Sequence, residues 1–167
     1  MILGLSFTTF VTLHVVLSLI GIVAGLVALG AMLAGNWTGR WSALFLGTTA
    51  ATVVTGFIFP IGAILPSHVV GAISVVTLAV AFYALYARRL AGRWRATYVV
   101  AAAASLYLNC FVGVAQAFLK LGRLQALAPT QSEPPFLLAQ IALLATFVVA
   151  GGLALRRFHP VMGGRLA

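Results

Sequence analysis

The sequence predicts an all-α integral membrane bundle of five transmembrane helices, with the N-terminus outside and the C-terminus cytoplasmic. Three observations predict it. Of 167 residues, 63% are hydrophobic and only 7% charged, with a mean hydropathy of +1.15, whereas about a quarter of the residues in soluble domains are charged. The apolar residues gather into five runs, each near the ~20 residues that cross a hydrocarbon core. The basic residues behind the net charge of +9 are confined to short segments between those runs, a pattern of membrane topology rather than of a nucleic-acid-binding face. Five spans use up the chain, so residues 1–167 form a single domain.

The first helix is expected over about 10–34, ending in the turn-forming cluster Gly35-Asn36-Trp37-Thr38-Gly39 between two interfacial tryptophans, Trp37 and Trp41. No basic residue precedes this run and it exceeds a signal-peptide core, so it is expected to stay as a span. The second helix, about 42–59, stops at Pro60, which lacks the N–H of a continuing helix and restricts the residue before it. Segment 60–71 bends the chain and presents His68. Pro66-Ser67 then opens the third helix, about 67–87, with Ser67 as cap. The fourth runs over about 95–119. The fifth, about 136–155, is introduced by Ser132-Glu133-Pro134-Pro135, read as a cap, an acidic first turn and early prolines.

Lys and Arg retained on the cytoplasmic side set the orientation. With the N-terminus outside, inner segments hold Arg40, Arg88, Arg89, Arg93, Arg95, Arg156, Arg157 and Arg165, and outer segments hold only Lys120 and Arg123. No internal repeat is visible, which gives no support to a symmetric transporter.

The interior of the spans carries no Asp, Glu, Lys or Arg, and the single carboxylate side chain, Glu133, sits in an outer loop. That removes carboxylate acid/base chemistry and di-metal carboxylate sites. The single cysteine, Cys110, allows neither a disulfide framework nor a cysteine metal site. No phosphate loop, catalytic triad or zinc motif is present, so the sequence points away from an enzyme.

What polar groups there are share a depth. Counted at ~1.5 Å per residue from the basic ends, His14, His68, Gln116 and Gln140 fall in the outer leaflet. His14 and Gln116 belong to small and polar stripes at helical spacing, His14, Ser18, Gly21, Gly25 and Ser105, Asn109, Gly113, Gln116, Lys120, and a third stripe runs along Thr48, Thr52, Thr55, Phe59. Such stripes let helices approach closely and bond across. Two histidines at one level point to a metal or a b-haem, with His14 and His68 as ligands and Asn109, Gln116 and Gln140 as hydrogen-bonding groups around it. Lys120 and Arg123 are then the cations for haem propionates. Bundle glue and headgroup anchoring are the plainer readings of the same residues. Segment 121–135 reads as a short interfacial helix, repeated at Leu121, Leu124 and Leu127, before a proline-stiffened connector.

Three stretches, Thr52-Val53-Val54-Thr55-Gly56-Phe57-Ile58-Phe59-Pro60, Leu106-Tyr107-Leu108-Asn109 and Ala128-Pro129-Thr130-Gln131-Ser132-Glu133-Pro134-Pro135, resemble small multi-pass inner-membrane proteins of proteobacteria. The resemblance covers nearly the whole chain and implies a bacterial inner-membrane location and a helical fold. No activity or site residue comes with it.

Three functions compete on this reading. One is a redox protein holding haem b. Another is a small transporter or channel subunit for a neutral solute or a proton. The third is a non-catalytic accessory subunit whose small-residue faces dock into a homo-oligomer or a larger membrane complex, with the lipid bilayer as partner in every case.

Overall fold

The computed structural model describes residues 4–59 and 66–160, with the side chains of Pro66 and Ser67 outside the description. The expected bend at 60–65 and Arg165 lie outside the described residues. All regular structure among them is helical: α1 (Phe7–Leu33), α2 (Gly39–Ile58), α3 (Pro66–Phe82) continued by one π-helical turn (Tyr83–Ala87), α4 (Arg93–Lys120), α5 (Gly122–Leu127) and α6 (Pro134–Arg157). Five of these helices are long and apolar enough to cross a membrane.

Local chemistry sets the helix ends. Ser6 starts α1, its Oγ accepting from Thr9 N at 3.1 Å, three residues before the sequence reading begins it. The same helix stops in a Schellman arrangement, with Asn36 N bonded to Ala31 O at 2.8 Å and Gly35 N to Met32 O at 3.1 Å. Gly35 takes the left-handed φ of +74° that this reversal requires. Phe59 leaves α2 in extended conformation, φ −60° and ψ 140°, as a residue before proline should. Ser67 falls one residue inside α3 rather than at its cap. Glu133, not Ser132, holds the N-cap position of α6 without a side-chain bond to the helix, Pro134 and Pro135 follow it, and no acidic residue occupies the first turn.

Helix α4 is the axis. Its alanine-rich face, with Ala101, Ala102 and Ala103 buried, lets α1, α2, α3 and α6 pack against it, since small side chains allow backbones to close. Around it, α6 packs on α1, α1 on α2 and α2 on α3. The α1/α2 pair is the tightest because Gly21 and Gly25 sit at its contact. Helix α6 buries only Gln140, Phe147 and Ala154, every seventh residue, a single stripe that leaves its remaining apolar surface outward.

The two ends of the bundle differ in charge. One carries the starts of α1, α3 and α6 with Lys120, Arg123 and Glu133. The other carries their C-termini with the remaining described arginines. Arg95 Nη1 donates to Leu155 O at 2.9 Å and to Phe158 O at 2.5 Å, and Arg157 Nη1 to Leu33 O at 3.3 Å. These guanidinium groups satisfy carbonyls that a helix C-terminus leaves open and oppose its negative dipole end.

Candidate functional site

The polar stripe predicted on α1 is a contact face. His14 Nδ1 lies 2.8 Å from Thr55 Oγ1, and its ring meets Phe59 edge-on at 5.3 Å between centroids. One turn on, Ser18 Oγ donates to Asn109 Oδ1 at 2.8 Å, and Asn109 Nδ2 to Ser18 O at 3.4 Å. A Cβ on Gly21 would stand 2.9 Å from Thr49 Oγ1 and 3.2 Å from both Asn109 Nδ2 and Thr48 Oγ1. Below Gly21, Gly25 meets Leu106 and Phe45 instead. The side chains of α1 thus run from polar to apolar along a seam shared with α2 and α4.

Helix α2 supplies the facing wall. Thr38, Ser42, Phe45, Thr49, Thr52, Gly56 and Phe59 recur at four, three, four, three, four and three, one face of a helix. Phe45, Ser42, Thr49 and Thr52 are buried. Polar groups therefore occur on both sides of Phe45, which packs with Leu106 as an apolar plug beside a void of about 10 Å³.

Several of these polar groups lack partners. Thr38 Oγ1, Ser42 Oγ, Thr49 Oγ1 and the Tyr98 hydroxyl are buried with no hydrogen bond. Ser42 Oγ and the Tyr98 hydroxyl approach one another without reaching good bonding geometry. A buried unsatisfied hydroxyl costs about 1–3 kcal/mol, so four on one seam are more than helix packing requires.

The remaining predicted residues lie elsewhere. His68 is half-buried at the start of α3 and tilts against the Phe57 ring at 6.4 Å, and Gly71 packs on the same ring. Phe57 stands about 160° around α2 from Thr55 and from Phe59 at 3.6 residues per turn. His14 thus meets α2 at Thr55, Gly56 and Phe59, and His68 meets it at Phe57. Gln140 joins α6 to α4, Nε2 donating to Phe111 O at 3.2 Å, with Oε1 buried and unpaired. Gln116, Lys120 and Arg123 are exposed. Among the described residues, no three His, Cys, Asp or Glu side chains gather as a metal site. A larger surface groove of about 430 Å³ is lined by Thr8, Thr9, Thr12, Leu13 and Val16, on the side of α1 away from His14.

Five contributors escaped sequence reasoning. Thr38, Ser42, Thr49 and Tyr98 belong to the seam, and Gln131 Nε2 donates to Ala115 O at 2.7 Å, one turn of α4 beyond the carbonyl that Gln140 uses. The heptad spacing of Ser42 and Thr49 was the available signal for those two. Among the described residues, the fold and seam are those of an all-helical protein with five membrane-competent helices around a partly unsatisfied polar seam. Compared with protein-family models, curated proteins and solved structures, it matches none.

Proposed function

We propose that this chain is a multi-pass protein of a bacterial inner membrane that passes a proton or a small neutral, hydrogen-bonding solute along the α1–α2–α4 seam. The observation that carries the reading is the set of unpaired buried hydroxyls, Thr49 on one side of the Phe45/Leu106 plug and Thr38, Ser42 and Tyr98 on the other. A seam that served only as glue would satisfy its own groups. Seam side chains are hydroxyls, an amide and one imidazole, so the passenger is neutral or its charge is a proton held by His14. The arginine-rich end faces the cytoplasm and the N-terminus faces outward, as the distribution of basic residues supports.

Flux of protons and of small polyols into vesicles containing the purified chain tests this. Thr49→Val and Asn109→Leu are expected to reduce flux at least tenfold, and Val76→Ala on the exposed face of α3 to leave it unchanged. No flux above empty vesicles sinks the proposal.

One observation favours the redox reading as a second possibility. Thr55 holds His14 Nδ1 and leaves Nε2 to bind, the arrangement of a metal-ligating imidazole. A reduced-minus-oxidised visible spectrum of protein made with haem supplied decides it. Haem bands lost in His14→Ala support it; a featureless spectrum removes it.

A further inference from the structure

The inference concerns the end of the bundle opposite His14. Six arginines are exposed there, Arg40, Arg88, Arg89, Arg93, Arg156 and Arg157. The one carboxylate side chain in the sequence is Glu133, which lies at the other end and is occupied by Thr130 and Ser132. No side chain of the protein can therefore neutralise these arginines. Most of the counterions of these six cations come from outside.

The link between α3 and α4 arranges three of them. After the π-helical turn, Arg89 and Leu90 adopt left-handed φ of +47° and +57°, and Gly92 +54°, a conformation that non-glycine residues seldom take. Leu90 is 6% exposed and anchors the turn in the core, so its neighbours are turned outward. The Arg88 guanidinium lies 5.3 Å over the Trp94 ring, which in turn meets Tyr83 edge-on at 5.0 Å. The Trp94 ring attracts the Arg88 cation and fixes its place at the turn. Every cation at this end is an arginine, the side chain whose fork matches phosphate oxygens. Tyr83, Tyr86 and Trp94 beside it are residues suited to headgroup depth.

We propose that the α3–α4 turn is a binding site for the phosphate headgroup of an anionic phospholipid, held by Arg88, Arg89 and Arg93 with Trp94 as platform. The site is independent of the seam and of what passes through it.

The test is lipid retention by the full chain in detergent, exchanged with an equimolar mixture of phosphatidylglycerol and phosphatidylcholine and read by mass spectrometry. Phosphatidylglycerol is expected to be retained in preference, roughly fivefold or more, the order expected for one surface arginine. Arg88→Gln/Arg89→Gln/Arg93→Gln abolishes the preference, and Lys120→Gln/Arg123→Gln at the other end keeps it. Should the triple variant not fold, Arg89→Gln alone lowers the preference by roughly that one-arginine factor. Equal retention of both lipids by the native chain overturns the proposal, as does an undiminished preference in the arginine variants or an equal loss in Lys120→Gln/Arg123→Gln. Displacement of the lipid by millimolar inorganic phosphate assigns the site to a free anion and overturns the lipid.

Discussion

His14 Nδ1 lies 2.8 Å from Thr55 Oγ1, and the Thr55 hydroxyl is itself directed back to Ala51 O at 2.8 Å and Thr52 O at 3.0 Å. A hydroxyl has one hydrogen to give. With it committed to the helix backbone, Thr55 Oγ1 accepts and His14 Nδ1 carries the proton, so the neutral ring keeps its lone pair on Nε2. Thr55→Val removes the acceptor and strands a half-buried N–H, at an expected cost of about 0.5–1.5 kcal/mol. Thr55→Ser restores it. Nitrogen NMR of labelled histidine reads the tautomer directly: Nδ1–H in the native chain and in Thr55→Ser, a mixture in Thr55→Val. A native ring protonated on Nε2 alone contradicts the assignment.

Close approach of α1 and α2 depends on Gly25. An added Cβ would stand 2.5 Å from Leu106 Cδ1 and 2.8 Å from Phe45 Cδ2, and both side chains are only 1% exposed. Neither can swing aside. Gly25→Ala is therefore expected to destabilise by about 1–3 kcal/mol, as overpacking of a filled core does. Gly30, on the same helix with nothing within 4 Å of its added Cβ, is the control. Gly30→Ala is expected within about 0.5 kcal/mol of the native protein. Denaturant unfolding in mixed micelles compares the two, and equal stability losses would show that the seam is looser than described.

These two positions also mark how far the sequence could be read. Five apolar runs, their number and the end of the second helix near Phe59 follow from composition and proline chemistry, and all reappear in the helices observed. The α1 stripe was legible because a period of four, three and four is a property of one helix. Its partners were not. Nothing in the spacing says that His14 meets Thr55 while His68 meets Phe57, since shared depth fixes one coordinate and leaves rotation about each helix open. Gln116 shows the same limit: it belongs to the α4 stripe by spacing, yet it is exposed. Gly25 could be placed on the stripe, but its dependence on Phe45 and Leu106 required the neighbouring helices.

Asn109 joins α4 to α1 through Ser18. Its Oδ1 accepts from Ser18 Oγ at 2.8 Å while it is only 8% exposed. Bonds of this kind between membrane helices are worth on the order of 0.6 kcal/mol, reaching about 1.7. A double-mutant cycle of Ser18→Ala and Asn109→Ala is expected to give a coupling in that range. Coupling indistinguishable from zero would mean that the two side chains act independently.

Glu133 gives the connector before α6 a pH dependence. Its Oε1 accepts from Thr130 N at 3.2 Å and Thr130 Oγ1 at 2.9 Å, and its Oε2 from Ser132 N at 3.1 Å. Desolvation works to raise its pKa, but hydrogen bonds from the Thr130 hydroxyl and from the N–H groups of Glu133, Thr130 and Ser132 together outweigh it. The carboxyl is held below its ordinary value of 4.5. For a group depressed in the folded state, the stabilisation is complete above the unfolded value and is lost as pH falls through the folded one. The amide shifts of Thr130 and Ser132 are therefore expected to move together as pH falls, with a shared midpoint below 4.5. Glu133→Gln removes the titration while keeping one acceptor oxygen, and is expected to give flat amide shifts over the same window. A shared midpoint at or above 4.5 in the native protein would mean that the carboxylate does not hold the connector.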